Sequence, residues 1–315
     1  MTTDASFASP SMTPSILLTG ASGYVGSRLL PSLQADGLEV RCMARRPESL
    51  VLPRRDGAPP AEVVAGDVVE NRGLDAALEG IDVAYYLIHS MGRGSGPASE
   101  FASRDRIAAR NFAAATRRAG VGRVIYLGGL GPTGRGASEH LESRREVADI
   151  LRDDGPAVAH VRAAMVIGAG SASFEMLRAL VNRLPAMICP KWVDTRSQPI
   201  AIADVISTLN ALATRPDAPG EVQIGGADVL TYRAMMKRFA AVVGRRPPLI
   251  VPVPVLTPRL SSYWVTLVTP VEHGLVQPLV KGLATEMVVE TPPPPGLNDH
   301  PLGFEAAVRA ALAEA

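Results

Sequence analysis

Three glycines recur at positions 20, 23 and 26 in the run Thr19-Gly20-Ala21-Ser22-Gly23-Tyr24-Val25-Gly26. An apolar stretch precedes the run and a helical pattern follows it, an order that suits phosphate binding. Gly20 permits the tight turn, Gly23 lets backbone approach a pyrophosphate, and Gly26 lets helix and strand pack closely. Helix N-terminal N–H groups then face the anion, and the macrodipole favours it. Gly20, Ser22, Gly23, Tyr24, Val25 and Gly26 are therefore candidate cofactor-binding residues. The alternative is a turn that is merely glycine-rich.

A second feature lies at Ala44-Arg45-Arg46. Dinucleotide folds that take NAD place an acid here, to accept from the adenosine 2′-hydroxyl. Two arginines pair instead with a 2′-phosphate, so Arg45 and Arg46 favour NADP(H) over NAD(H). The alternative is a solvated surface pair. Asp67 and Val68 are candidates for the adenine, against the alternative of an Asp that closes a turn. In the run Tyr85-Tyr86-Leu87-Ile88-His89-Ser90, a fourth strand ends in polar groups. Ligands bind outside the carboxyl ends of such strands, so Ile88, His89 and Ser90 are placed beside the nicotinamide ribose. A histidine that caps the strand structurally is the alternative.

Positioning these residues takes alternating strands and helices. Strand patterns at 15–19, 38–44, 62–65, 82–88, 123–127 and 157–162 alternate with helical ones, which predicts an α/β fold with a Rossmann-type doubly wound parallel sheet. Beyond residue 163 the strands become short and Pro-rich, and a smaller C-terminal lobe is expected. The division anticipated is a disordered tail over 1–14, an NAD(P)-binding domain over 15–205, and a substrate or cover lobe over 206–315 interleaved with it. The run at 247–258 is too Pro-rich for a central strand. At 315 residues, with 47% hydrophobic and 20% charged, the chain can bury a large core. A net charge of +1 argues against a generally basic nucleic-acid binder. The two cysteines, Cys42 and Cys189, form no CxxC, and no metal site is expected. Residues 1–14 lack the basic start and apolar run of a signal peptide. No apolar run reaches the roughly 20 residues of a membrane span. A cytoplasmic location follows as the expectation.

Together the runs Thr19–Gly26, Tyr86–Met91 (YLIHSM), Tyr126–Gly131 (YLGGLG), His140–Arg145 (HLESRR), Gly170–Met176 (GSASFEM) and Pro199–Val205 (PIAIADV) resemble the NAD(P)H-binding atypical short-chain dehydrogenases/reductases, near the NmrA-like group. The resemblance spans about residues 15–285. It implies a dinucleotide site but no single reaction, because the family mixes reductases, epimerase relatives and non-catalytic sensors. Typical members carry Tyr and Lys four apart on the helix after the fifth strand, with Ser or Thr just after that strand. Here His140 and Arg144 occupy the i, i+4 places, Gly128 and Gly129 replace the hydroxyl residues, and the chain has no Tyr-x-x-x-Lys. Gly128 is grouped with the cofactor-binding set. Two readings remain open. In one, His140 is the general acid/base, as its ordinary pKa of about 6.5 permits, Arg144 holds the ribose, and His89 assists. In the other, these residues only line the pocket.

Ser173, Phe174 and Met176 are candidate substrate contacts, with core packing as the alternative. Few polar and many apolar residues in that region point to an apolar acceptor. The favoured function is an NADP(H)-dependent reductase of an apolar carbonyl or quinone-like acceptor. The alternatives are an NAD(P)-sensing binding protein and a sugar-nucleotide epimerase or dehydratase. A small-molecule substrate is expected, with no direct nucleic-acid partner. A homodimer is compatible with the fold. The segment 249–283, apolar with scattered charge, is a candidate for peripheral membrane contact, against the alternative that it folds back over the core.

Overall fold

Short β-rich runs separated by amphipathic helices build the framework of a computed structural model that describes residues 13–52, 60–89, 98–132, 139–253 and 283–314. The first half runs β1 (Ile16–Thr19), α1 (Gly26–Ala35), β2 (Val40–Ala44), β3 (Glu62–Ala65), α2 (Leu74–Leu78), β4 (Val83–Tyr86), α3 (Ala98–Arg118), β5 (Arg123–Gly129), α4 (Glu139–Asp154) and β6 (Ala157–Ala163). The second half runs β7 (Val166–Ile167), α5 (Ala172–Arg183), β8 (Ala186–Pro190), β9 (Arg196–Ser197), β10 (Ile200–Ala201), α6 (Ile202–Ala213), β11 (Glu221–Ile224), β12 (Leu230–Thr231), α7 (Tyr232–Val242), β13 (Leu249–Val253) and α8 (Phe304–Ala313).

Seven parallel strands form the central sheet, in the order β11-β6-β5-β4-β1-β2-β3. The expected doubly wound α/β fold is present, and its strand order reverses between β1 and β4. Ligands of such sheets bind at that switch point. The sheet is covered on both sides, so its central strands are apolar on both faces. Ile16, Leu18, Cys42, Tyr85 and Ile125 pack in one core with α1 and α6. Leu17, Ala84, Tyr86, Val124 and Tyr126 pack in a second with α2, α3 and α4. A third core, distinct from the sheet, joins α5, α7 and α8 through Phe174, Phe239 and Phe304.

One strand of the central sheet is absent from the six that the sequence predicts. β11 pairs with β6 at the sheet edge, Glu221 opposite His160 and Ile224 opposite Ala163. Its four residues alternate polar and apolar, but only Glu221 is exposed, and Gln223 is buried along with Val222 and Ile224. The Pro-rich run contributes β13, which stays out of the central sheet and pairs with β8 alone. That position tolerates Pro252, whose missing N–H breaks no central ladder. Among the described residues no helix is long and apolar enough to cross a membrane. Most of the segment 249–283, like the tail at 1–12, lies outside the described residues.

Candidate active site

The C-terminal end of β1 is pinned to that of β4 by one side chain. Thr19 Oγ1 donates to the Tyr85 carbonyl at 2.8 Å and accepts from the Leu87 N–H at 3.2 Å. This holds the glycine turn against Leu87–His89. Gly20 sits at φ +73°, and a Cβ there would stand 2.6 Å from the Leu87 carbonyl oxygen. A Cβ on Gly26 would stand 2.3 Å from the Gly20 carbonyl oxygen. Sterics thus require glycine at both positions, and the turn closes through the Gly23 N–H, 2.8 Å from the Gly20 carbonyl.

These elements wall a cleft of about 680 Å³. All of the glycine-turn candidates line it: Gly20, Ser22, Gly23, Tyr24, Val25 and Gly26. Arg45 and Arg46 line it at the end of β2, Asp67 and Val68 at the end of β3, and Ile88 and His89 at the end of β4. Residues spread over 70 positions therefore converge on one space. A backbone cradle that a Cβ would fill, with cations at its far end, fits a nicotinamide dinucleotide.

Several residues behave differently from the expectation. The Asp67 carboxylate is engaged by its own turn, with Oδ1 accepting from the Val69 and Glu70 N–H groups at 2.8 and 3.1 Å. Gly128 does not line the cleft. A Cβ at Gly128 would lie 2.3 Å from His160 Nε2, so the imidazole fills the space over that glycine. Phe174 and Met176 are buried in the third core, with the Phe174 ring 5.9 Å from that of Phe239, and neither lines the cleft. The helix turns these two side chains inward, while Ser173 is half-buried. Ser90 lies outside the described residues, as does the side chain of His140, whose backbone belongs to the first turn of α4.

Arg144 does reach the site. Its Nη1 lies 2.7 Å from His89 Nε2 and 3.3 Å from the Leu127 carbonyl. A guanidinium can only donate. His89 Nε2 must therefore present its lone pair, which leaves the imidazole neutral with its proton on Nδ1. Beneath this pair, Tyr126 is fully buried, and its hydroxyl pKa is pushed up to about 12 by that burial, with Arg144 opposing. Tyr126 stacks on His160, ring centroids 5.2 Å apart. Burial, then the neighbouring Arg152, lowers the His160 pKa to about 3.

The sequence reading missed two residues. Asn111 on α3 donates to the Val68 and Val69 carbonyls at 2.8 and 3.2 Å and so fixes the loop after β3. Arg104, two turns earlier on the same helix, also lines the cleft, which makes it the third Arg that does, after Arg45 and Arg46. Helical spacing places 104, 108 and 111 on one stripe. Sequence could have raised that signal only once the stripe facing the loop was known.

Comparison with known proteins agrees with this fold. A family model described as NAD(P)H-binding matches residues 20–167. A ceramide reductase of Caulobacter vibrioides is 31% identical over 245 residues, which cover 75% of this chain and 72% of that protein. A nucleoside-diphosphate-sugar epimerase of Staphylococcus aureus superposes with a TM-score of 0.72 at 19% identity, covering 94% of this chain and 99% of that one. An NADPH-dependent quinone oxidoreductase of Escherichia coli, solved with NADPH, superposes with a TM-score of 0.69 at 19% identity, covering 93% and 98%. At such identity these two structures speak for the fold.

Proposed function

The chain belongs to the NAD(P)H-binding family, and from that premise we propose that it is an NADP(H)-dependent reductase of an apolar, lipid-like carbonyl or a quinone. The observation that carries the reading is the 2.7 Å contact between Arg144 and His89 at the mouth of the cleft. It supports the reading that a neutral, oriented imidazole serves as hydrogen-bond donor at this end of the cleft, in a chain that has no Tyr-x-x-x-Lys.

NADPH, when bound, supplies the hydride. Arg45 and Arg46 pair with the 2′-phosphate, and the glycine turn holds the pyrophosphate. His89 donates through Nδ1–H to the substrate oxygen as that atom gains negative charge, and so acts as a neutral electrophile rather than a proton carrier. Water delivers the proton that completes the product. Arg144 is a positioning residue, because it fixes the His89 tautomer. His140, in the first turn of the helix that carries Arg144, is the alternative to water as the source of that proton. The 31% identity to a ceramide reductase supports an apolar substrate. A binding protein that senses the cofactor is the second reading, favoured by the missing Tyr and Lys.

The test is a calorimetric titration with NADPH and NADH, followed by NADPH oxidation with a long-chain ketone and a quinone panel. NADPH is expected to bind more tightly. Replacing both Arg45 and Arg46 by Ala should weaken NADPH by about 10- to 100-fold and leave NADH unchanged. His89→Ala should lower kcat while NADPH affinity persists, and His140→Ala reads the relay separately. Binding without consumption of NADPH on any acceptor would move the protein to the sensing class.

A further inference from the structure

The parallel pair β8 and β13 has an unusual outer face. Its register sets Leu249 opposite Ala186 and Val251 opposite Ile188. Alternation along a strand sends these four side chains to one side and Met187, Cys189 and Ile250 to the other. The inner set is buried in the core with α5 and α7. The outer set is exposed: Ile188 at 58%, Leu249 at 65% and Val251 at 46%. These are three of the seven large hydrophobic residues that are exposed among the described residues, gathered on one two-stranded ribbon.

Charge is arranged around the same ribbon. Both strands start at the same end, because they are parallel. Arg183 stands three residues before Ala186, and Arg246 three before Leu249, with Arg245 beside it. All three are exposed. Arg245 Nη1 donates to the Asn182 carbonyl at 3.0 Å, which ties the two entrances together. Neither 182–190 nor 244–253 contains an Asp or Glu. The result is an apolar face with a cationic rim at one end.

We propose that the outer face of β8 and β13 docks on an anionic lipid surface, with Ile188, Leu249 and Val251 entering the headgroup boundary and Arg183, Arg245 and Arg246 meeting the acidic headgroups. Aliphatic side chains flanked by Arg are what interfacial binding needs: buried apolar area plus attraction to anionic lipid. A protein partner fits less well. Four apolar side chains on two five-residue strands fall short of the roughly 800 Å² that each partner buries in a stable protein interface. The proposal builds on the lipid-like acceptor above, since a substrate dissolved in a bilayer must be met there.

The experiment is co-sedimentation of the full chain with vesicles of phosphatidylcholine alone and of equal parts phosphatidylcholine and anionic phosphatidylglycerol. The protein is expected to pellet with the anionic vesicles, less so with the neutral ones, and less at high salt. Replacing Arg183, Arg245 and Arg246 by Gln should lower anionic partitioning by about tenfold or more, and Ile188→Ser with Val251→Ser should do the same. NADPH binding, read by cofactor fluorescence, reports that each variant is folded. A wild-type protein that stays in solution with both vesicles overturns the proposal. So does a triple Arg variant that pellets like wild type, or a concentration-dependent dimer abolished by Ile188→Ser. Vesicle binding is read without turnover, so an inactive protein that still pellets sinks the reductase reading alone.

Discussion

A Cβ on residue 128 would overlap His160 Nε2, and this contact explains a departure that looked catalytic in the sequence. Gly128 lies near the end of the fifth strand, and glycine stands there because an imidazole occupies the space above it. That imidazole is almost fully buried and lies 3.3 Å from the Arg152 guanidinium, a permanent donor, so it is held neutral. Its folded pKa is about 3, lowered first by burial and then by Arg152. In the unfolded chain it titrates near 6.5. Between those values the unfolded state binds a proton that the folded state refuses. Stability is therefore complete above about pH 6.5 and is lost as pH falls toward 3, by up to about 1.4 kcal/mol per pH unit from this group. Urea unfolding at pH 7, 6, 5 and 4 should show that slope. His160→Gln should flatten it, and an unchanged slope in the variant would assign the acid sensitivity to other groups.

At the scale of elements, the glycine turn works as a joint between β1 and α1. Gly26 lets the helix begin against the Gly20 carbonyl, and a methyl there would stand 2.3 Å from that oxygen. Gly26→Ala should therefore push α1 away from β1, with a loss of about 1–3 kcal/mol in stability and a weaker grip on NADPH. Thermal melting and a cofactor titration read the two effects, and an unaltered titration would mean that the turn does not hold the phosphates. This joint was legible in the sequence because its glycine spacing is itself a steric constraint. So were the first six strands, whose apolar runs are long enough to dominate their neighbours. β11 was not, since four residues, two of them polar, are too few to stand out as a strand from the loops on either side. The Arg144–His89 contact was not legible as a contact either. It joins residues 55 positions apart, from different elements, and depends on which way α4 turns over β5. Phe174 and Met176 show the reverse problem. An apolar pair at helical spacing reads alike as a pocket wall or as core until the packing of α5 on α7 is known.

For the molecule as a whole, the last described stretch stitches the third core to the sheet. Val289 N–H donates to Gln198 Oε1 at 3.0 Å and Glu290 N–H to Gln223 Oε1 at 2.9 Å, along the end of β11. Leu302 N–H donates to Asp204 on α6 at 2.9 Å, and Phe304 N–H to Asp228 at 2.8 Å. From there α8 lays Phe304, Ala307, Val308 and Ala311 into the core formed by α5 and α7. Phe304 is 1% exposed, in the core that also holds Phe174, Phe239, Met235 and Met236. Phe304→Ala should cost about 3–5 kcal/mol, enough to lower the melting temperature by several degrees. The nucleotide cleft is lined by no residue of this core, so NADPH affinity measured well below the new melting point should survive. A loss below about 1 kcal/mol would make α8 an appendage rather than a structural member of the third core. Loss of NADPH binding in the cold would show instead that the two regions fold as a single cooperative unit, with the C-terminal stitches carrying the coupling.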